Sequence, residues 1–364
     1  MAGEPIVFQF NGKITQALLI VRNSWGTFGI HPDSPQQGLT FTLPKTITQK
    51  SGRVDWTLLY QKNTISTGTF SILPSTTSSN TMETYLGPTS IFADNSDQSM
   101  LVVLPQDEFG NPLPEGTEIV KTEKFGESVQ SSPLMVSDMI AHNLTGAKKV
   151  VGDIFITANM VGQFSKEFTV NVLPTVADDF TISMKRNHPY ADGNQIVSFT
   201  TSTILDVHGN TIADGTMVNF VIQDGNGQRF QTYGQTLNGT AVAKMLHPEV
   251  PGKWKVWASI SGASKSNVLE LEFDAAVLDY PVHISNDGKT ITIGPILSYM
   301  KQWVPDGMSI SLKVVSPNDS TLLQVATTSR NGMAHFSLPN GIEIQKNTTT
   351  VSVAGIIKQI HYKP

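Results

Sequence analysis

The chain has 364 residues, a formal net charge of −5 and no cysteine. Its length allows about two to four domains. The acidic balance, with no Lys/Arg run, excludes a nucleic-acid-binding surface, and the missing thiols exclude a disulfide framework and thiolate metal sites. Only 15% of residues are charged while Thr, Ser, Gly, Asn and Val abound, a composition suited to strands and turns.

The chain opens with Met1-Ala-Gly-Glu-Pro5 and the alternating Ile6-Val-Phe-Gln-Phe10. No basic, apolar and small-residue succession of a secretory signal stands there, and no later stretch has the length of a membrane span. Gly52-Arg-Val-Asp-Trp-Thr-Leu-Leu-Tyr60 then returns one hundred residues on as Gly152-Asp-Ile-Phe-Ile-Thr-Ala-Asn-Met160, and again as Gly252-Lys-Trp-Lys-Val-Trp-Ala-Ser-Ile260. Period two places Val54, Trp56, Leu58 and Tyr60 on one face, with Ile154, Ile156, Ala158 and Met160, and Trp254, Val256, Ala258 and Ile260, as their counterparts facing three cores. Gly162 and Gly262 mark the hairpin turn that follows. Thr69-Phe-Ser-Ile-Leu-Pro74 recurs as Thr169-Val-Asn-Val-Leu-Pro174, a last strand closed by a proline that cannot continue a ladder.

Between these strands a turn is written twice, as Asp107-Glu-Phe-Gly-Asn-Pro-Leu-Pro-Glu-Gly-Thr117 and Asp206-Val-His-Gly-Asn-Thr-Ile-Ala-Asp-Gly-Thr216. Asp can accept a hydrogen bond from its own backbone two residues on, Gly-Asn tolerates positive φ, and Glu-Gly or Asp-Gly makes a second turn ahead of the next strand. The motif resembles the invasin/intimin-type bacterial Ig-like repeat. The resemblance covers the two middle domains, part of the last and little of the first. In the first domain, Gly38-Leu-Thr-Phe-Thr-Leu-Pro44, Lys50-Ser-Gly-Arg-Val-Asp-Trp56 and Ser66-Thr-Gly-Thr-Phe70 resemble the small N-terminal sandwich of phage baseplate and receptor-binding proteins.

The expected fold class is therefore all-β, a tandem array of four Ig-like β-sandwich domains over residues 1–74, 75–174, 175–274 and a divergent 275–364. A polar linker is expected over Ser75-Thr-Thr-Ser-Ser-Asn-Thr81. The last domain keeps Asp306-Gly-Met-Ser-Ile310 and Asn331-Gly-Met-Ala334 in the places of Asp214-Gly-Thr-Met-Val218 and Asn238-Gly-Thr-Ala241. Where Asp206 to Asn210 should recur it has Ser298-Tyr-Met-Lys-Gln302, flanked by Pro295 and Pro305. Ile296, Tyr299, Met300 and Trp303 have helical spacing, but the run is short, and a buried strand is the expectation.

No nucleophile elbow, zincin, phosphate-loop or dinucleotide fingerprint is present. The eight histidines lie without a partner at metal or triad spacing, and His208 occupies a turn slot that Phe109 fills in the first copy. Asp94/Asp97 and Asp178/Asp179 lie near domain starts, where calcium could sit, but without a dense acidic run they read as solvated turn acids. Asn-x-Ser/Thr triplets at Asn143, Asn238, Asn318 and Asn347 are expected by chance in this composition. The chain reads as no enzyme, with no catalytic residue, cofactor or metal.

Partner contacts are expected at Trp257 and Phe155, outward on their strands, and at Tyr299, Met300 and Trp303, an apolar-aromatic insertion of the kind enriched at interfaces. The first functional reading is a phage virion component, at the collar, head or tail. It would dock through its end domains with other virion structural proteins, in multiple copies of a symmetric assembly. The absent signal and the atypical end domains favour it. The alternative is a secreted bacterial cell-surface adhesin of the invasin/intimin type that contacts a host-surface glycan or protein. A carbohydrate-binding accessory module of a larger enzyme is the third.

Overall fold

Apolar residues alternate with polar ones through the repeated segments, and such segments can bury one face only by pairing into sheets. The computed structural model describes residues 1–12, 14, 16–33, 39–75, 80–94 and 96–361. Gly38 of the first-domain motif, residues 76–79 of the expected linker and the last three residues lie outside the described residues. Strands make up 57% of the structure and helices 2%. No helix among the described residues is long and apolar enough to cross a membrane, which does not bear on strands. The fold is a tandem series of β-sandwiches.

The chain divides into two compact units, Met1–Pro174 and Thr175–Pro364. The first holds two separate cores. One lies between a four-stranded sheet, in the order Gly26–Ile30, Leu18–Asn23, Gly52–Tyr60 and Asn63–Ile72, and the pair Val7–Phe10 with Leu39–Thr42. The other lies between two sheets. The first runs Ala141–Gly146, Gln98–Gln106 and Thr81–Gly87; the second runs Ser128–Met135, Glu118–Phe125, Gly152–Met160, Phe168–Leu173 and Ser90–Phe92.

The second unit repeats this plan. Its third core is wrapped by a nine-stranded sheet that includes Ile196–Thr201, Thr240–Leu246, Met217–Gln223, Gly252–Ile260 and Leu269–Ala275. Its fourth lies between two sheets. Val282–Ile284, Thr290–Ile293 and Ala334–Ser337 form one; Thr321–Thr328, Ser309–Val315, Thr348–Val353 and Ile356–Ile360 form the other.

The face assignment of the thrice-written strand holds. Val54, Leu58, Ile154, Ile156, Ala158, Met160, Trp254, Val256 and Ala258 are buried, and Trp56 and Ile260 pack against the cores from their margins, but Tyr60 does not join the first core, because the register shifts between Leu58 and Leu59. Gly162 and Gly262 adopt φ of 82° and 73° at the hairpin turns, but the first copy makes its turn with Gln61 and Lys62 at 49° and 65°. Left-handed backbone at both central positions gives the primed hairpin turn. The first copy thus keeps the two left-handed positions of Val161 and Gly162 without the glycine, whereas the third copy turns through a longer loop from Ile260 to Ser264.

Aromatic rings pack against the margin of the first, largely aliphatic core. Trp56 lies 5.4 Å and 5.5 Å, centroid to centroid, from Phe8 and Phe10, and Phe10 meets Phe41 edge-on at 5.9 Å. The indole lies over Gly68, its cross-strand partner, where a Cβ would fall 2.6 Å from the ring. Gly68→Ala should therefore destabilise the protein by about 1–3 kcal/mol through overpacking, read as a shift of the urea midpoint. A change below about 0.5 kcal/mol would mean the indole does not occupy that face.

Candidate functional site

The repeated turn is where the sequence concentrates its polar side chains, and each has an assigned role. Asp107 Oδ1 accepts from the backbone N–H of Phe109 and Asn111, at 2.9 Å and 2.8 Å. Its Oδ2 accepts from the Asn111 amide at 2.8 Å and from the backbone N–H of Ser75 at 2.9 Å. Asp206 makes the same four bonds: His208 N and Asn210 N on Oδ1, both at 2.9 Å, then Asn210 Nδ2 at 2.9 Å and Thr175 N at 3.0 Å on Oδ2. Ser75 and Thr175 are the residues that follow the closing Leu-Pro of the preceding strand. One carboxylate thus ties the turn to itself and to the incoming connector. Gly110 and Gly209, at φ of 73° and 84°, allow the loop to close.

Between the first two cores the clasp extends further. Asn111 Nδ2 donates to Gln49 O at 2.9 Å, Ser51 N donates to Asn111 Oδ1 at 3.0 Å, and Lys50 Nζ donates to Phe109 O at 2.9 Å. The Phe109 ring packs against the first core. The second acid of the motif has a separate task. Glu115, Asp214 and Asp306 accept from the backbone N–H of Asp138, Asn238 and Asn331, at 2.8, 2.7 and 2.7 Å. Those three residues hold φ near 50°, so the acid stabilises a left-handed hairpin turn in each repeat.

The fourth core corrects one expectation. Ser298-Tyr-Met-Lys-Gln302 is neither a helical turn nor a buried strand. Ser298 N bonds Gln302 O and Lys301 N bonds Ser298 O, both at 2.8 Å, as Asp206 N bonds Asn210 O and Gly209 N bonds Asp206 O. The backbone of the repeated turn is kept, with Lys301 at φ 58° in the glycine slot. Its carboxylate is gone, and a backbone bond from Tyr299 N to Ala276 O, 2.8 Å, makes the tie to the connector instead.

The expected partner contacts fall into two groups. Met300 and Trp303 are 60% and 64% exposed. Tyr299 is stacked on Tyr190, on the strand Tyr190–Ala191, with centroids 3.7 Å apart and planes at 15°. Trp257 is half-buried with the Arg229 guanidinium 5.8 Å from its ring, and Phe155 is half-buried between Lys124 and Thr169 on the flanking strands.

Beside Tyr190 lies a cluster that sequence spacing did not disclose, because His247 is far from the His188-x-x-x-Asp192 pair in the chain. The three offer ligand atoms within 4.8 Å of one another. Their hydrogen bonds point to a structural role. Tyr190 N donates to His188 Nδ1 at 3.2 Å, which leaves the proton of a neutral ring on Nε2, 3.4 Å from Asp192 Oδ2. His247 Nδ1 lies 2.8 Å from Tyr190 O. The two imidazoles thus hold the Tyr190 backbone from both sides and fix the tyrosine stack. The other acids expected near domain starts are engaged by backbone: Asp94 Oδ1 by Ser96 N and Asp97 N, Asp97 Oδ2 by Phe92 N, and Asp179 Oδ1 by Lys265 N.

No family model matches the chain, and no curated protein matches it. The solved structures it resembles include adhesins of the invasin/intimin type. The Escherichia coli adhesin FdeC is 15% identical with a TM-score of 0.49, over 74% of this chain and 85% of that one. Invasin, a bacterial integrin-binding protein, is 12% identical with a TM-score of 0.43, over 86% and 78%. InvD of Yersinia pseudotuberculosis is 14% identical with a TM-score of 0.39, over 77% and 96%.

Burial alone would raise the Asp107 and Asp206 carboxyls, but the side-chain and backbone hydrogen bonds of Asn111 and Asn210, with those of the other N–H donors, outweigh it and hold both below the usual carboxylate range. A depressed folded-state value stabilises the folded form above the ordinary unfolded value of about 4. That contribution is lost as the pH falls through the folded-state values. Asp107→Asn keeps one acceptor oxygen but turns the other into an NH2 donor that faces N–H groups, and should cost about 1–3 kcal/mol at neutral pH. The loss should shrink below about pH 4, which urea titrations of both proteins across that range would record. An equal loss at every pH would mean the carboxylate charge is irrelevant to the clasp.

Proposed function

We propose that the chain is a non-enzymatic adhesive segment displayed on a bacterial surface, with sandwiches over residues 1–74, 75–174, 175–274 and 275–364 serving as spacer and docking modules. The observation that supports this most is the clasp. The same Asp carboxylate seizes the connector behind Pro74 and behind Pro174, so the repeated polar residues are spent on joining one sandwich to the incoming chain. Residues used that way serve length and positioning, which an adhesive array needs and catalysis does not.

The contact for a host-surface protein or glycan is assigned to the exposed Met300 and Trp303. Tyr299 beside them is committed to its stack, and Trp257 and Phe155 are the weaker candidates by burial. The virion reading, with virion proteins and a symmetric assembly as partners, draws on sequence pattern alone, and no contact described above adds to it.

Labelled full-length protein should bind cultured host cells, or immobilised matrix proteins and glycans, in a saturable way. Met300→Ala with Trp303→Ala should weaken binding by about tenfold or more, as loss of a central aromatic anchor does. Absence of saturable binding to any of these, together with recovery of the chain in purified phage particles, would replace this reading with the virion one.

A further inference from the structure

Lysine is rarely buried, and its place in a sandwich is on the outer face. Lys121 breaks that rule. It follows Ile119 on the inward face of Glu118–Phe125 and is 4% exposed. From the opposite sheet, Ala141–Gly146 turns Asn143 and Thr145 inward to meet it. Lys121 Nζ donates to Asn143 Oδ1 at 3.0 Å and to Thr145 Oγ1 at 2.6 Å, and lies 3.2 Å from Glu123 Oε2. Lys148 Nζ holds the other Glu123 oxygen at 2.9 Å, and Thr145 Oγ1 donates to Oε2 at 3.4 Å. An amine, a carboxamide and a carboxylate are thus gathered between two sheets, in a module without cysteine. The inward turn of Asn143 also removes it from consideration as a surface glycosylation acceptor.

We propose that Lys121 and Asn143 join in an intramolecular isopeptide bond, with Glu123 as the proton acceptor and donor. Glu123 takes a proton from the Lys121 ammonium. The freed nitrogen lone pair attacks Asn143 Cγ, the new C–N bond forms, and the carbonyl electrons move onto Oδ1. As they return, the Cγ–Nδ2 bond breaks, and Nδ2 leaves as ammonia with protons relayed from Nζ through Glu123. Ammonium amine and primary amide become a secondary amide and an ammonium ion, so charge and atoms balance without oxidant, reductant or water. The two sheets hold the reacting groups in contact, which turns a slow bimolecular aminolysis into an intramolecular one. Burial would raise the Glu123 carboxyl, but its hydrogen bond to Lys148 and the nearby Lys121 charge keep it below the usual range, so it is ionised and able to accept the proton. The product is a covalent staple between the two sheets of the second sandwich, the task a disulfide performs in other small domains.

Intact-mass spectrometry of the purified full-length protein tests this directly. The expected mass is that of the sequence less one ammonia, with a tryptic species in which the segments containing Lys121 and Asn143 are joined. Glu123→Gln keeps both partners and removes the proton acceptor, and should carry the full mass. Lys121→Arg should also carry the full mass and lack the joined species. A wild-type protein of full mass would overturn the proposal and leave a buried ion-pair network. So would an ammonia loss that maps to an Asn-Gly step such as Asn238-Gly239, with no joined species.

Discussion

The structure depends on one recurring interaction, a carboxylate that accepts hydrogen bonds from its own turn and from the connector of the strand before it. Asp107 and Asp206 each gather two backbone N–H groups and an Asn amide within the turn, then one N–H of the connector. A buried carboxylate is stable only if its lone pairs are filled. Filling them here requires that the turn be closed and the connector be in place. Local folding of the turn and seating of the incoming chain are thereby made one event.

The clasp also explains how the array tolerates divergence. Around the fourth core, Ser298 replaces the aspartate, Lys301 the glycine and Gln302 the asparagine, yet the backbone bonds of the turn survive. The connector is then held by a backbone bond and by the Tyr190–Tyr299 stack, with His188 and His247 fixing Tyr190 from both sides. A polar clasp has been exchanged for an aromatic one. The cost of the substitution falls on Lys301, which takes up a left-handed backbone that glycine adopts more easily.

Much of this was legible in the sequence, because strands reveal themselves by period two and turns by their Gly, Asn and Asp. Val54, Ile154 and Trp254 share a face for that reason, and the second acid of each motif was visible as Glu115, Asp214 and Asp306. The turn over Ser298–Gln302 was missed because its conformation is imposed by the strands on either side and not by its own residues. The His188–Asp192–His247 cluster and the Lys121–Asn143 pair were missed for a different reason. Each joins strands that are distant in sequence, and a pairing across a sandwich leaves no periodic trace. Alternation places Phe155 and Trp257 outward but cannot foresee the Arg229 side chain over the indole, and the apolar-aromatic character that singles out Tyr299 cannot foresee the tyrosine stacked on it.

The seating of the connectors is best measured through the amide hydrogens of Ser75 and Thr175. Both follow a proline and lie outside any strand ladder, and their amides donate to the Asp107 and Asp206 carboxylates. Hydrogen exchange of the full-length protein at neutral pH should find both amides protected to a degree comparable with the flanking strand amides at Val172 and Ile72. Exchange of Ser75 and Thr175 at the rate of an open linker, with Val172 and Ile72 protected, would contradict the clasp as the device that seats these connectors.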